Sequence, residues 1–128
     1  MRASFSSWLR RECASFGYAW QGLRGALRQE KHLRFHAFAT GAVGLAGALL
    51  DLNRTDWALL VLAIGSVWAA ELLNTAIERL TDLASPEPHP LAGQAKDLAA
   101  AAVLVVAAGA AAVGLLVLGP PLWALAPK

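Results

Sequence analysis

The chain has 128 residues, of which 57% are hydrophobic and 16% charged, and its formal net charge is +2. With the 11 glycines included, apolar residues make up about two thirds of the chain, against about 45–50% in soluble domains. This composition excludes a disordered chain, and it argues against an ordinary soluble domain because a core that apolar leaves too little polar surface. The length predicts one domain, 1–128. A single cysteine, Cys13, excludes an internal disulfide framework and a cysteine-based zinc site.

The N-terminal segment predicts an amphipathic helix over residues 5–31. Its basic residues occupy the sides left free by an apolar face whose members recur at steps of three and four. That face consists of Phe5, Trp8, Leu9, Cys13, Phe16, Trp20, Leu23 and Leu27. Such a helix suits the surface of a membrane, and packing against the rest of the protein is compatible with the same pattern. We expect no cleavable signal peptide, because the segment is polar and basic before any long apolar run.

Three apolar stretches follow, and each predicts a transmembrane helix. They lie at about 33–50, 57–83 and 97–118. A bilayer core of about 30 Å needs about 20 apolar residues in a helix, and the third stretch meets this requirement alone. The first is short and contains His36 and Thr40. The second stretch can cross the membrane only if Glu71 lies near a membrane interface.

The distribution of basic residues predicts the orientation. Seven of the 11 Lys and Arg residues lie within residues 1–34, so the N-terminus is expected in the cytoplasm. Three spans then place loop 51–56 and the C-terminus outside, and loop 79–97 inside. Trp57 and Trp123 stand near span ends, as interfacial aromatic residues do. We therefore expect a multi-pass protein of the cytoplasmic membrane.

A stripe of polar residues marks the second predicted span. Glu71, Asn74 and Glu78 are spaced i, i+3 and i+7, which places them on one helical face. Thr75 lies close to that face, and Asp82 extends it by a turn. Carboxylates in a bilayer are costly and usually functional, and acids without basic partners repel one another. Two carboxylates and an amide offer the hard oxygen ligands that Mg²⁺ prefers.

The depth of the stripe suggests what it does. Glu71 follows Trp57 by 14 residues, or about 21 Å of helix, which places its carboxylate in the cytoplasmic part of the bilayer and that of Glu78 near water. A carboxylate there can act as a general base toward a hydroxyl held in lipid, facing a phosphate donor held in water. Lys96 fits either a polyphosphate partner or a membrane anchor. No GxxxxGK[ST] motif is present, which excludes a Walker-type phosphate loop.

Three segments together resemble a known family. They are ELLNTAIERLTDL at 71–83, HPLAGQAKDLAAAAVL at 89–104, and GYAWQGLRGALRQEKHLRFH at 17–36. On these segments the chain resembles the prokaryotic diacylglycerol kinase family of small integral-membrane lipid kinases, which includes undecaprenol kinases. The resemblance covers about residues 10–118, with the order and spacing of the segments kept. It implies an all-α homotrimer whose subunits have three transmembrane helices and an N-terminal amphipathic surface helix.

The resemblance also implies an activity: transfer of the γ-phosphate of MgATP to a lipid alcohol at the cytoplasmic interface. Glu71 matches the proposed catalytic base, which also meets the lipid, and Asn74 matches a positioning amide. The metal-binding acids, which hold Mg²⁺, match Glu30 and Glu78, and Trp20 matches a residue on the lipid side. The nucleotide-contacting positions match Arg11, Tyr18, Asp82, Glu87, His89, Lys96 and Asp97. No nucleic-acid partner is expected.

The identity of the alcohol stays open between undecaprenol and diacylglycerol. The segments HLRFH at 32–36 and SPEPHPLA at 85–92 look closer to the undecaprenol kinase branch. Pro88 departs from the family pattern, which often has an aromatic residue there on the adenine side.

Two other classes of function compete with a kinase. A small proton-coupled transporter would use Glu71 as a proton carrier. It would need neither a second acid at Glu78, nor an acid at Glu30, nor the Lys96–Asp97 pair, so these residues favour the kinase. A non-catalytic membrane assembly protein is the third alternative.

Overall fold

The computed structural model describes residues 5–125, with side chains from residue 10 onward. This part of the chain forms helices and no strand. The helices are α1 (Phe5–Gln29), α2 (Lys31–Leu49), α3 (Arg54–Ala84) and α4 (Pro90–Ala124). The all-α prediction is confirmed.

Helices α1 and α2 are separated by one residue. Glu30 has an extended backbone, with φ −97° and ψ 118°, so α1 ends two residues before its predicted limit. The buried Ala26 shows that α1 packs through its last turns, whereas Phe16 and Trp20 are exposed by 76% and 65%. An uncovered apolar face is consistent with a helix on a membrane surface. The predicted apolar residues Phe5, Trp8 and Leu9 lie outside the described side chains.

A tight turn joins α2 to α3. The Asn53 side chain caps α3 by accepting hydrogen bonds from the backbone N–H groups of Thr55 and Asp56 at 2.8 and 3.0 Å. Asp51 adopts a left-handed backbone with φ 50°, which aspartate tolerates better than most residues. The cap lets α3 begin at Arg54, three residues before the predicted span.

Helices α3 and α4 make the most extensive helix contact in the structure. Helix α4 begins at Pro90, well before the predicted start at 97, because His89 caps it: the ring Nδ1 accepts from the backbone N–H of Leu91 at 3.2 Å. A proline in the first helical position suits that start. The helix also continues through Pro120 and Pro121, past the predicted end at 118. At 1.5 Å per residue, α3 and α4 are about 46 and 52 Å long, more than a bilayer core requires.

Two helices, α3 and α4, are long and apolar enough to cross a membrane. Only 22% and 6% of their most apolar stretches are buried, so their apolar side chains face outward, unlike those of a soluble core. Helix α2 corresponds to the predicted first span but does not reach the same apolarity, because Lys31, His32 and Arg34 open it. The structure thus supports two of the three predicted spans.

Gly47 provides a test of the turn between α2 and α3. This glycine is buried, and a Cβ atom there would lie 2.9 Å from the Trp57 ring and 3.1 Å from the Leu52 side chain. We expect Gly47→Ala to destabilise the protein by about 1–3 kcal/mol through overpacking, measured by thermal unfolding in detergent. Gly41→Ala is the matched control, because nothing lies within 4 Å of its added Cβ. Equal unfolding temperatures for the two variants would contradict this packing.

Candidate active site

The polar centre of the molecule is a buried carboxylate on α3. Glu71 is 7% exposed and, with Thr75, forms the buried polar pair among the described residues. The Oε1 atom of Glu71 lies 3.0 Å from Nε2 of His36 on α2. An ionised carboxylate only accepts hydrogen bonds, so the imidazole donates in this contact when Glu71 is charged. The predicted catalytic base is therefore fixed between two helices.

One turn further along α3, the amide and the second acid of the predicted stripe are in direct contact. Nδ2 of Asn74 donates to Oε1 of Glu78 at 3.0 Å. The Asn74 Oδ1 atom is buried and has no hydrogen-bond partner. Since a buried acceptor without a partner is costly, it points to a group that the site would receive. A carboxylate beside a free amide oxygen fits a hard cation such as Mg²⁺.

The other predicted metal-binding acid, Glu30, is engaged elsewhere. Nη2 of Arg79 donates to Oε1 of Glu30 at 3.0 Å and to Oε1 of Gln29 at 2.9 Å. This contact holds the junction of α1 and α2 against α3. Within residues 10–125, no three acidic, histidine or cysteine side chains converge as a metal site. Mg²⁺ typically uses one or two carboxylates and takes its other ligands from water and phosphates, so it does not require such a cluster.

A pocket of about 330 Å³ lies at the turn between α3 and α4. Four of the predicted nucleotide-contacting residues line it: Asp82, Glu87, His89 and Lys96. Nζ of Lys96 donates to Oδ1 of Asp82, so the pocket contains a charged pair that joins the two helices. The loop is stiffened by its prolines and by the Ser85 hydroxyl, which donates to the carbonyl oxygen of Glu87 at 2.9 Å.

The remaining predicted contacts stand apart from this pocket within one chain. Arg11 and Tyr18 lie on exposed parts of α1, and Tyr18 is 72% exposed. Asp97 is exposed on α4 next to Lys96 but does not line the pocket. Trp20, predicted on the lipid side, is exposed on α1. For these residues the assigned roles stay predictions.

A half-open apolar cavity of about 220 Å³ lies between α2, α3 and α4, with His36 in its wall. Most of its wall consists of alanine, valine and other apolar residues, and its polar edge is formed by His36, Thr40 and Trp68. Nε1 of Trp68 donates to the Thr40 hydroxyl at 3.0 Å, and that hydroxyl donates to the His36 carbonyl oxygen at 2.7 Å. An apolar cavity thus adjoins the residue that holds the buried carboxylate.

The roles of two residues of this site, His36 and Arg79, are not evident from the sequence. Their contacts join positions 35 and 49 residues apart, and helical periodicity carries no information about such separations. The one available signal was the position of His36 inside an otherwise apolar stretch.

Comparison with known proteins decides the family. The family model described as prokaryotic diacylglycerol kinase matches residues 17–118, which include Glu30, the acidic stripe and the pocket at the α3–α4 turn. The chain belongs to the prokaryotic diacylglycerol kinase family. The resemblance found in the sequence is confirmed, and the prediction of a lipid kinase is confirmed at the level of the family. A membrane location agrees with the family and with the outward-facing apolar helices, and the transporter alternative is not favoured.

Curated members of the family are similar over most of this chain. Undecaprenol kinase of Bacillus subtilis (strain 168) is 43% identical over 114 residues, covering 89% of this chain and 93% of that protein. A diacylglycerol kinase of Synechocystis is 44% identical over 112 residues, covering 87% of this chain and 64% of that protein. Diacylglycerol kinase of Escherichia coli (strain K12) is 37% identical over 89 residues, covering 70% of this chain and 73% of that protein. Relatives named for either alcohol are thus comparably similar.

Proposed function

We propose that this protein transfers the γ-phosphate of MgATP to the hydroxyl group of a lipid alcohol, undecaprenol or diacylglycerol, at the cytoplasmic face of the membrane. The observation that carries the proposal is the buried carboxylate of Glu71 on an apolar helix whose end lines a pocket that contains the Asp82–Lys96 pair. Glu71 and Asp82 are 11 residues apart, about 16 Å along α3, a distance that an extended nucleoside triphosphate can span. One helix therefore offers a membrane-buried base and a water-facing nucleotide pocket.

In the proposed reaction, Glu71 is the general base. Its carboxylate accepts the hydroxyl proton while the alcohol oxygen bonds to the γ-phosphorus. The bond from that phosphorus to the β,γ-bridging oxygen breaks, and ADP leaves. Phosphoryl transfer depends mainly on positioning and charge neutralisation, so a single base and fixed charged groups suffice.

The residues beyond Glu71 hold the donor. Glu78 and Oδ1 of Asn74 would hold Mg²⁺, and Glu30, which contacts Arg79, is the further acid proposed as a ligand. Bound Mg²⁺ supplies charge neutralisation on the phosphates. Lys96 exchanges Asp82 for a phosphate oxygen, since both are charged acceptors for its ammonium group.

The predicted contacts on α1 are explained by a homotrimer. Arg11, Tyr18 and Trp20 do not reach the pocket within one chain, but a neighbouring subunit can place them beside nucleotide and lipid. Exposed large apolar side chains on α3 and α4, among them Leu73 and Leu104, provide surfaces for lipid or for another subunit. Asp97, exposed beside Lys96, completes the proposed nucleotide contacts.

The proposed base is tested by Glu71→Gln, which keeps the shape of the side chain but cannot accept the proton. We expect kcat to fall by about 100-fold or more with little change in the KM for ATP, measured as phosphorylated lipid in detergent with either alcohol. Asp51→Asn is the matched control, because it removes a carboxylate at the opposite end of α3 in a turn that asparagine tolerates. Undiminished turnover in Glu71→Gln would contradict the mechanism.

The metal ligand is tested by the magnesium dependence of Glu78→Gln. Loss of a charged oxygen ligand should raise the Mg²⁺ concentration for half-maximal activity by about 10-fold, which corresponds to about 1.4 kcal/mol. Glu12→Gln, on the exposed side of α1, should leave that concentration unchanged. If Glu78→Gln titrates with Mg²⁺ like the wild type, Glu78 does not bind the metal.

The proposed topology has three spans, including α2, with the N-terminus in the cytoplasm. Seven basic residues before residue 35 support this orientation. An alkaline phosphatase fused after Lys128 should be active outside, whereas the same enzyme inserted at Pro88 should be inactive. Inactivity of the C-terminal fusion would show that α2 does not cross the membrane, because two spans return the chain to the cytoplasm.

A further inference from the structure

A histidine that the sequence did not assign holds the buried carboxylate. Nε2 of His36 lies 3.0 Å from Oε1 of Glu71, and the two side chains are 19% and 9% exposed. This is a contact between α2 and α3, across 35 residues of sequence. The imidazole therefore bonds one oxygen of the carboxylate and leaves the other, Oε2, for a further proton donor.

A second connection joins α2 and α3 beside this contact. Trp68 donates to the Thr40 hydroxyl, and Thr40 donates to the backbone oxygen of His36. Trp68 and Glu71 are three residues apart on α3, so they present neighbouring groups to a single turn of α2. The Phe35 ring also meets the imidazole edge to face, with ring centres 5.5 Å apart. Of these contacts, only that of Phe35 involves the imidazole ring, because Thr40 bonds the backbone oxygen of His36.

We propose that His36 is a positioning residue for phosphoryl transfer. Its Nε2–H group holds Oε1 of the ionised carboxylate, so that Oε2 faces the acceptor hydroxyl in one orientation. The proposal rests on the proposed role of Glu71 as the base. A general base must lie within hydrogen-bond reach of the proton that it removes, and a misplacement of about 1 Å can cost about 100-fold in rate.

His36 also borders an apolar cavity. The residue lines the apolar cavity between α2, α3 and α4 and also contacts Glu71. Glu71 does not line that cavity, so of the two side chains only the imidazole borders it. A fixed donor on Oε1 limits rotation of the carboxylate and leaves Oε2 available.

The test compares His36→Ala with His36→Gln in the lipid phosphorylation assay. We expect His36→Ala to lower kcat by about 10- to 100-fold while the KM for ATP stays unchanged. His36→Gln should recover most of this loss, because the glutamine amide places an N–H donor at a similar reach. If His36 had only a structural role and both variants fold, His36→Gln and His36→Ala should have similar kcat values.

Thr40→Val is the control for helix packing. It removes the second connection between α2 and α3 and leaves the Glu71 contact in place. We expect its kcat to stay within a few-fold of the wild-type value. Any loss of stability should appear as a lower unfolding temperature. Equal loss of kcat in Thr40→Val and His36→Ala, or no rescue by His36→Gln, would overturn the positioning role.

The double variant separates this inference from the proposed function. If His36 acts through Glu71, then His36→Ala should lower the rate no further in a Glu71→Gln background. Full activity of His36→Ala together with an inactive Glu71→Gln would refute the inference alone. An active Glu71→Gln would refute the proposed base, and the inference with it.

Discussion

A carboxylate buried among apolar helices needs a partner, and this constraint organises the structure around Glu71. A buried acceptor left without its hydrogen-bond donor costs about 1–3 kcal/mol, and more if it is charged, so a donor on the facing helix stabilises Glu71 in this position. His36 supplies it from α2. The donor thereby ties α2, the predicted span that is not long and apolar enough to be recognised as one, to α3.

The second organising feature is the change of environment along α3. The helix begins at a capped turn, passes through an apolar middle, and then carries Glu71, Asn74, Glu78 and Asp82 toward its end. The Lys96–Asp82 contact and the proline-rich loop connect that end to α4. Because α3 exceeds the thickness of a bilayer core, the proposed function needs only this one rigid element to present Glu71 in the membrane and the pocket in water.

The sequence predicts the helical parts of this arrangement well and the contacts between helices poorly. The spacing of Asn74 and Glu78 predicts a shared face, and their hydrogen bond confirms it. The observed helix ends differ from the predicted ones where a capping residue sets the end, as His89 does at the start of α4. The pairings of His36 with Glu71 and of Arg79 with Glu30 depend on how helices pack, which no local pattern records. The pocket at the α3–α4 turn is predictable in part, because Asp82, Glu87, His89 and Lys96 lie within 15 residues of one another, on the end of α3, the loop and the start of α4.

The central claim is that nucleotide and metal bind at the end of α3 where Asn74 and Glu78 lie. Paramagnetic broadening tests it most directly. Isotope-labelled protein in detergent is titrated with Mn²⁺ and a non-hydrolysable ATP analogue, and backbone amide signals are followed by nuclear magnetic resonance. We expect saturable broadening at residues 74–96, reversed by excess Mg²⁺, with residues 51–57 unaffected. Broadening centred on residues 51–57, or no saturable effect at residues 74–96, would contradict this account.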